Sequence, residues 1–158
     1  MNIRHDRIHV FAARPDELGM THDFLQIRRI PGDFLGGTWQ CVTGRIHDAE
    51  TAWQAALREL DEETGLRPVE FYRVERVDSF YSPADDTVWI CPQFLAIIDR
   101  AAEIRLSPEH DAFRWVERRY VQTLFLWPNE RVTVGEICAE ILDDGPAREY
   151  LRIPVAEA

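Results

Sequence analysis

The stretch from Thr51 to Leu66 constrains this chain most. At about 100° per residue, Ala52, Trp53, Ala56, Leu57 and Leu60 gather into one apolar stripe, which predicts a helix over residues 51–64 lying against a core. Gly65 follows as a C-cap glycine, and Pro68 blocks continuation. On the same wheel Glu59, Glu62 and Glu63 are spaced i, i+3, i+4 and share a face; Asp61 points away and Arg58 stands beside Glu62. Like charges at i,i+4 destabilise a helix by about 0.2–0.5 kcal/mol per pair. Such a face is either a solvated acidic surface or a site for a compensating cation. Oxygen donors of this kind suit Mg²⁺ first, with Mn²⁺ as a substitute.

Strand-like segments surround this helix. Residues 7–13 and 24–29 carry β-branched and aromatic side chains with rough alternation, and 39–43 reads as a short strand ending at Gly44. Residues 31–37 are a loop. Residues 69–82 and 87–98 predict a long antiparallel pair joined by the turn set Ser82-Pro83-Ala84-Asp85-Asp86. A further strand is expected over 112–116. A last helix is expected over about 134–142, with Thr133 and Glu136 as a capping box. The fold class is α+β, read as one domain over residues 1–158 with a mixed sheet and helices packed on it.

Composition removes several chemistries. All 18 basic residues are arginine, so Schiff-base catalysis and a phosphate-loop lysine are excluded. None of the three serines sits in a G-x-S-x-G elbow. Cys41, Cys91 and Cys138 form no C-x-x-C pair and read as buried small hydrophobes. A net charge of −10 disfavours a nucleic-acid partner. No apolar run approaches the roughly 20 residues of a membrane span. The first residues lack an apolar signal region, so a cytoplasmic location is expected.

The segment from Gly44 to Leu66 resembles the Nudix box, G-x5-E-x7-R-E-U-x-E-E-x-G-U with U a bulky aliphatic. Gly44, Glu50, Arg58, Glu59, Leu60, Glu62, Glu63, Gly65 and Leu66 fill all nine fixed positions within 23 residues. The resemblance implies the family's α/β/α sandwich around a mixed central sheet. It implies metal binding by Glu59, Glu62, Glu63 and the backbone at Gly44, with the same glutamates, Arg58 and Glu50 serving catalysis. Arg58 would hold a neighbouring glutamate, and Glu50 would support and orient. Glycine at position 44 suits close approach of backbone to a ligand. The implied reaction is metal-assisted hydrolysis of a nucleoside diphosphate linked to another group. Modules of this fold that bind without cutting typically lose box glutamates, and none is lost here.

A second resemblance, to bacterial dihydroneopterin triphosphate diphosphatases and dATP pyrophosphohydrolases, rests on Trp39–Gly44, Glu109–Val116 and Trp127–Asn129. It implies Glu109 as a further metal ligand from a loop, and Arg28, Thr43 and Asn129 as substrate contacts. Arg29 joins them because the guanidinium fork suits phosphate oxygens. The implied substrate is a nucleoside or pterin triphosphate. Dinucleoside polyphosphates and ADP-ribose-type conjugates carry the same cleavable bond. His47 and His110 lack a second ligand at zinc spacing and read as structural or solvated. Many members of the family are dimers, but nothing in the sequence identifies a homodimer interface.

Overall fold

The computed structural model describes residues 1–155. Its elements in chain order are β1 (Asn2–Arg4), β2 (Arg7–Pro15), β3 (His22–Arg29), β4 (Trp39–Gln40), β5 (Val42–Arg45), α1 (Ala52–Thr64), β6 (Glu70–Arg73), β7 (Asp78–Ser82), β8 (Thr87–Cys91), β9 (Gln93–Ile97) and β10 (His110–Glu117). Short helical turns lead through α2 (Val121–Leu124) to α3 (Pro128–Ile137), a π-helical turn (Cys138–Leu142) and α4 (Arg148–Leu151).

The central sheet runs β10-β3-β2-β9-β6 and is mixed, because β2 and β9 are parallel while the other pairs are antiparallel. Its middle strands bury both faces. Ile8, Val10, Ala12, Leu25, Ile27, Phe94 and Ala96 pack with Ala55, Ala56 and Leu60 of α1. Phe11, Ala13, Phe24, Tyr72 and Leu95 face the other way, against Val134, Ile137 and Ile141. Period-2 alternation thus feeds two cores, one under each helix, and gives the sandwich.

Strands β2 and β3 pair only where Ala13–Pro15 meets His22–Phe24, then splay apart. The wedge β4–β5 fills the gap: β4 pairs with β3, and β5 with residues Arg7–Val10 of β2. This wedge delivers Gly44 to the open end of the sheet, directly before α1.

Several boundaries differ from the sequence expectation. The 39–43 strand is broken at Cys41, whose N–H donates to a Glu130 carboxylate oxygen at 3.2 Å instead of to a ladder. The long antiparallel pair is two ladders in two sheets. Glu70–Arg73 pairs with Phe94–Ile97 in the central sheet, and Asp78–Ser82 pairs with Thr87–Cys91 in a separate sheet completed by β1. Asp85 and Asp86 form its turn, as expected. Strand β10 starts two residues before Ala112, with a bulge between His110 and Ala112.

The last helix starts at Pro128, a residue that favours the first helical position. Thr133 therefore lies inside the helix, fully buried, and its hydroxyl meets the Gln93 side chain at 3.2 Å. Glu136 pairs with Arg76 at 3.2 Å. The expected capping box does not exist, because tertiary contacts use both residues. All three cysteines are buried and free.

Candidate functional site

Helix α1 is built to hold carboxylates against the sheet. Thr51 caps it, accepting from the Gln54 N–H at 3.3 Å while the Gln54 side chain accepts from the Thr51 N–H at 2.9 Å. Gly65 closes it in the left-handed conformation, φ 69°, which glycine adopts at no steric cost. The buried face differs from the expected stripe. Ala55, Ala56, Leu60 and Thr64 are buried, and Glu59 and Glu63 lie among them, whereas Trp53 is exposed at the rim. The two alanines leave the space these carboxylates occupy. Glu62 stays in solvent, its side chain 59% exposed.

Arg58 organises the box. Its Nε and Nη2 donate to the two oxygens of Glu50 at 2.8 and 3.0 Å. Nη1 reaches Glu59 at 2.9 Å and Glu62 at 3.1 Å, and Nη2 also donates to the Arg45 carbonyl at 2.7 Å. One guanidinium thus ties the box loop, the end of β5 and two helix glutamates, using the fork geometry lysine lacks. This hold keeps the Glu50 carboxyl down at about 2, and the His47 N–H, donating at 3.0 Å, adds to it.

Glu59 is also bound by the Arg45 N–H at 3.2 Å. Burial pushes its pKa up, against the lowering effect of Arg58. Gly44 lies immediately against it: a β-carbon at position 44 would stand 2.0 Å from Cδ and 2.2 Å from Cγ of Glu59. Glu63 is held from the other side by the loop before β10. His110 Nδ1 stands 2.6 Å from its Oε2, and the Ser107 hydroxyl donates to the same oxygen at 3.2 Å. Glu109 is exposed in that turn, beside His110.

Among the described residues no three carboxylate, imidazole or thiol groups converge closely enough to hold a metal ion by themselves. The donors fit a hard cation in kind: Glu59, Glu62 and Glu63 carboxylates on one helix, with Gly44 packed against Glu59. Glu59, desolvated and packed into a hollow that any side chain at 44 would fill, is the observation that favours a compensating cation.

The remaining expected contacts lie apart. Arg28 pairs with Asp111 at 2.7 Å, and Arg29 with Asp33 at 2.9 Å. Thr43 faces His9 across the β5–β2 ladder. Asn129, near the start of α3, donates to Asp78 and, at 3.3 Å, to the Ser79 carbonyl.

Sequence reasoning did not single out the buried polar group around Asn129. It holds the buried Asp78 and Glu130, with the partly buried His9 Nδ1 3.4 Å from Asp78. Burial pushes the Glu130 carboxyl up and the His9 imidazole down. Glu130 Oε2 is buried with no hydrogen-bond partner. Phe80 and Trp127, both partly exposed, neighbour this group in sequence. Arg7 and Arg45, opposite each other in the β2–β5 register, were likewise passed over. Neither forms an ion pair among the described residues, and their mutual repulsion joins burial in lowering the Arg7 pKa. His110 was read as structural or solvated; it is buried against Glu63. A cross-strand arginine pair beside the box is a signal that only strand pairing reveals.

The family model described as NUDIX domain matches residues 4–134. Among curated proteins, an octanoyltransferase of Myxococcus xanthus is 41% identical over 100 residues, covering 59% of this chain and 26% of that protein. A second curated match spans 17% of its relative, so the chain covers only a minor part of both. Among solved structures, the MutT protein from Methanosarcina mazei aligns with TM-score 0.69 at 23% identity, covering 89% of this chain and 97% of that one. The Escherichia coli dihydroneopterin triphosphate pyrophosphohydrolase aligns with TM-score 0.65 at 22% identity, covering 82% and 92%.

Proposed function

This chain belongs to the Nudix family, and we propose that it is a Mg²⁺-dependent pyrophosphohydrolase of a nucleoside or pterin triphosphate. Water attacks a phosphorus, and the products are the monophosphate and pyrophosphate. The observation that carries this reading is the intact, organised box: Arg58 clamping Glu50, Glu59 and Glu62, with Gly44 packed directly against Glu59.

When bound, the metal lowers the pKa of water and neutralises the pyrophosphate. The chain supplies the rest. Glu59, Glu62 and Glu63 present the carboxylates, with Arg58 fixing Glu59 and Glu62 so that little reorganisation remains at the moment of reaction. Glu59, its pKa raised by burial, is poised in the direction a general base needs. Arg45 and Arg7, unpaired among the described residues, are placed to meet phosphate oxygens; Arg28 and Arg29 already hold carboxylates. The polar group formed by the exposed Asn129, the buried Asp78 and Glu130, and the partly buried His9 offers donors and acceptors for a heterocyclic ring, with the aromatic side chains of Phe80 and Trp127 nearby in sequence. That ring-reading group supports a triphosphate of this kind over a bare polyphosphate.

The test is a panel of dATP, the other nucleoside triphosphates, dihydroneopterin triphosphate, diadenosine tetraphosphate and ADP-ribose, each incubated with Mg²⁺ and resolved by chromatography. Pyrophosphate plus one monophosphate is the expected result. Activity confined to a dinucleotide or sugar conjugate overturns the substrate class, and silence on every compound overturns the catalytic reading in favour of a nucleotide-binding module.

A further inference from the structure

We propose that His110 is a positioning residue for Glu63, holding one carboxylate oxygen so that the other is presented to the divalent cation; this rests on the Nudix reading above. The His110 side chain is 3% exposed, and its Nδ1 stands 2.6 Å from Glu63 Oε2. Two lone pairs at that distance would repel, so Nδ1 carries the proton. The Ser107 hydroxyl reaches the same oxygen at 3.2 Å.

The loop that bears these groups is stitched to the end of α1 by backbone bonds. Ser107 N–H donates to the Glu63 carbonyl at 3.0 Å, and Arg105 N–H to the Thr64 carbonyl at 2.8 Å. His110 N–H closes the turn onto the Ser107 carbonyl at 3.2 Å. Glu63 is therefore gripped at both its backbone and its side chain by a segment more than forty residues away, while Oε1 accepts no hydrogen bond among the described residues. A grip on one oxygen removes the rotamer freedom that a coordinating carboxylate would otherwise lose on binding.

The experiment titrates the metal-free protein with Mn²⁺ and reads free Mn²⁺ by electron paramagnetic resonance, with no substrate and no turnover. Wild type is compared with Glu63→Gln, His110→Phe, His110→Asn and His110→Gln, each checked for native near-ultraviolet circular dichroism. His110→Phe keeps the bulk and loses the donor, and is expected to weaken Mn²⁺ binding about 10–100-fold. Asparagine places an amide N–H near the Nδ1 position and is expected to restore most of the affinity. Glutamine, whose amide falls near Nε2, is not. If His110→Phe does not fold, Ser107→Ala removes the longer of the two contacts to the same oxygen and is expected to weaken binding about tenfold, the lower end of such effects; unchanged binding there likewise overturns the proposal. Unchanged or tighter Mn²⁺ binding in His110→Phe overturns the proposal. Wild type that binds no more Mn²⁺ than Glu63→Gln overturns the metal-site reading beneath it.

Discussion

Substituting Gly44 by alanine tests the site through a single methyl group. Gly44 does not occupy the left-handed region, so alanine adds volume without backbone strain. The new carbon would lie 2.0, 2.2 and 2.4 Å from Cδ, Cγ and Oε1 of Glu59. Ordinary carbon contacts lie at about 3.5–4.0 Å, so the carboxylate must move by more than about 1 Å. What yields is the end of a side chain, held by Arg58 at 2.9 Å and by the Arg45 N–H at 3.2 Å. Losing those charge-assisted bonds costs about 1.5–3 kcal/mol. Rehydrating a carboxylate whose burial is unfavourable offsets part of that. The net loss of stability is therefore small, about 1 kcal/mol by these offsetting terms. Activity is far more sensitive: a 1 Å displacement in a catalytic constellation costs about 10²-fold, or about 2.7 kcal/mol of barrier. Urea unfolding and kcat/KM on the same preparation separate the two. In a Glu59→Ala background the clash vanishes, and Gly44→Ala is expected to be neutral or to stabilise by about 0.4–1 kcal/mol. Full activity in Gly44→Ala, or an equal stability cost in both backgrounds, refutes the reasoning.

Glu63→Gln and Glu62→Gln are each expected to reduce kcat more than about tenfold, a loss above roughly 1.4 kcal/mol, with unfolding little changed; a steady-state assay at saturating Mg²⁺ checks this. Asp61→Asn is expected to leave kcat unchanged and stability within about 0.5 kcal/mol, because Asp61 meets only the exposed Arg67, at 3.3 Å. The Glu50 carboxyl is lowered from 4.5 to about 2 by Arg58. Its contribution to stability is thus present above pH 4.5 and lost as pH falls toward 2. The stability gap between wild type and Arg58→Gln should narrow across that window, as read by urea midpoints at each pH.

The legible parts of this molecule are those set by one element at a time. Box spacing places Glu59 and Glu63 one turn apart on α1, and Arg58 within reach of Glu62. Alternation predicts β2 and β3. The wheel misjudged the helix's burial, because hydrophobicity assigned Trp53 to the core while Glu59 and Glu63 took the space beside Ala55 and Ala56. The start of α3 was hidden by the polar Asn129, Glu130 and Thr133, whose partners Asp78, Cys41 and Gln93 come from distant strands. His110 was hidden by the bulge at the start of β10, which breaks the alternation that would have marked an inward-facing residue. What could not be read is what depends on strand pairing and on the partners it supplies.

The charge balance of the site explains why its parts are separated. Glu50, Glu59 and Glu62 share one guanidinium, and Glu63 meets a histidine. Four carboxylates against so few cations give a cluster that repels a polyphosphate, in a chain already at net charge −10. On the proposed function, a divalent cation would invert that sign locally, a condition for substrate approach as well as for chemistry. Arg7 and Arg45, which have no carboxylate partner among the described residues, stand opposite each other on the β2–β5 pair beside the box. On the same proposed function, a phosphate chain held between the cation and those arginines would meet positive charge along its length. The ring of such a substrate would then fall to the buried Asp78 and Glu130 and to Asn129 beside them, where burial makes an unpaired charge costly and hydrogen-bond direction would decide what fits.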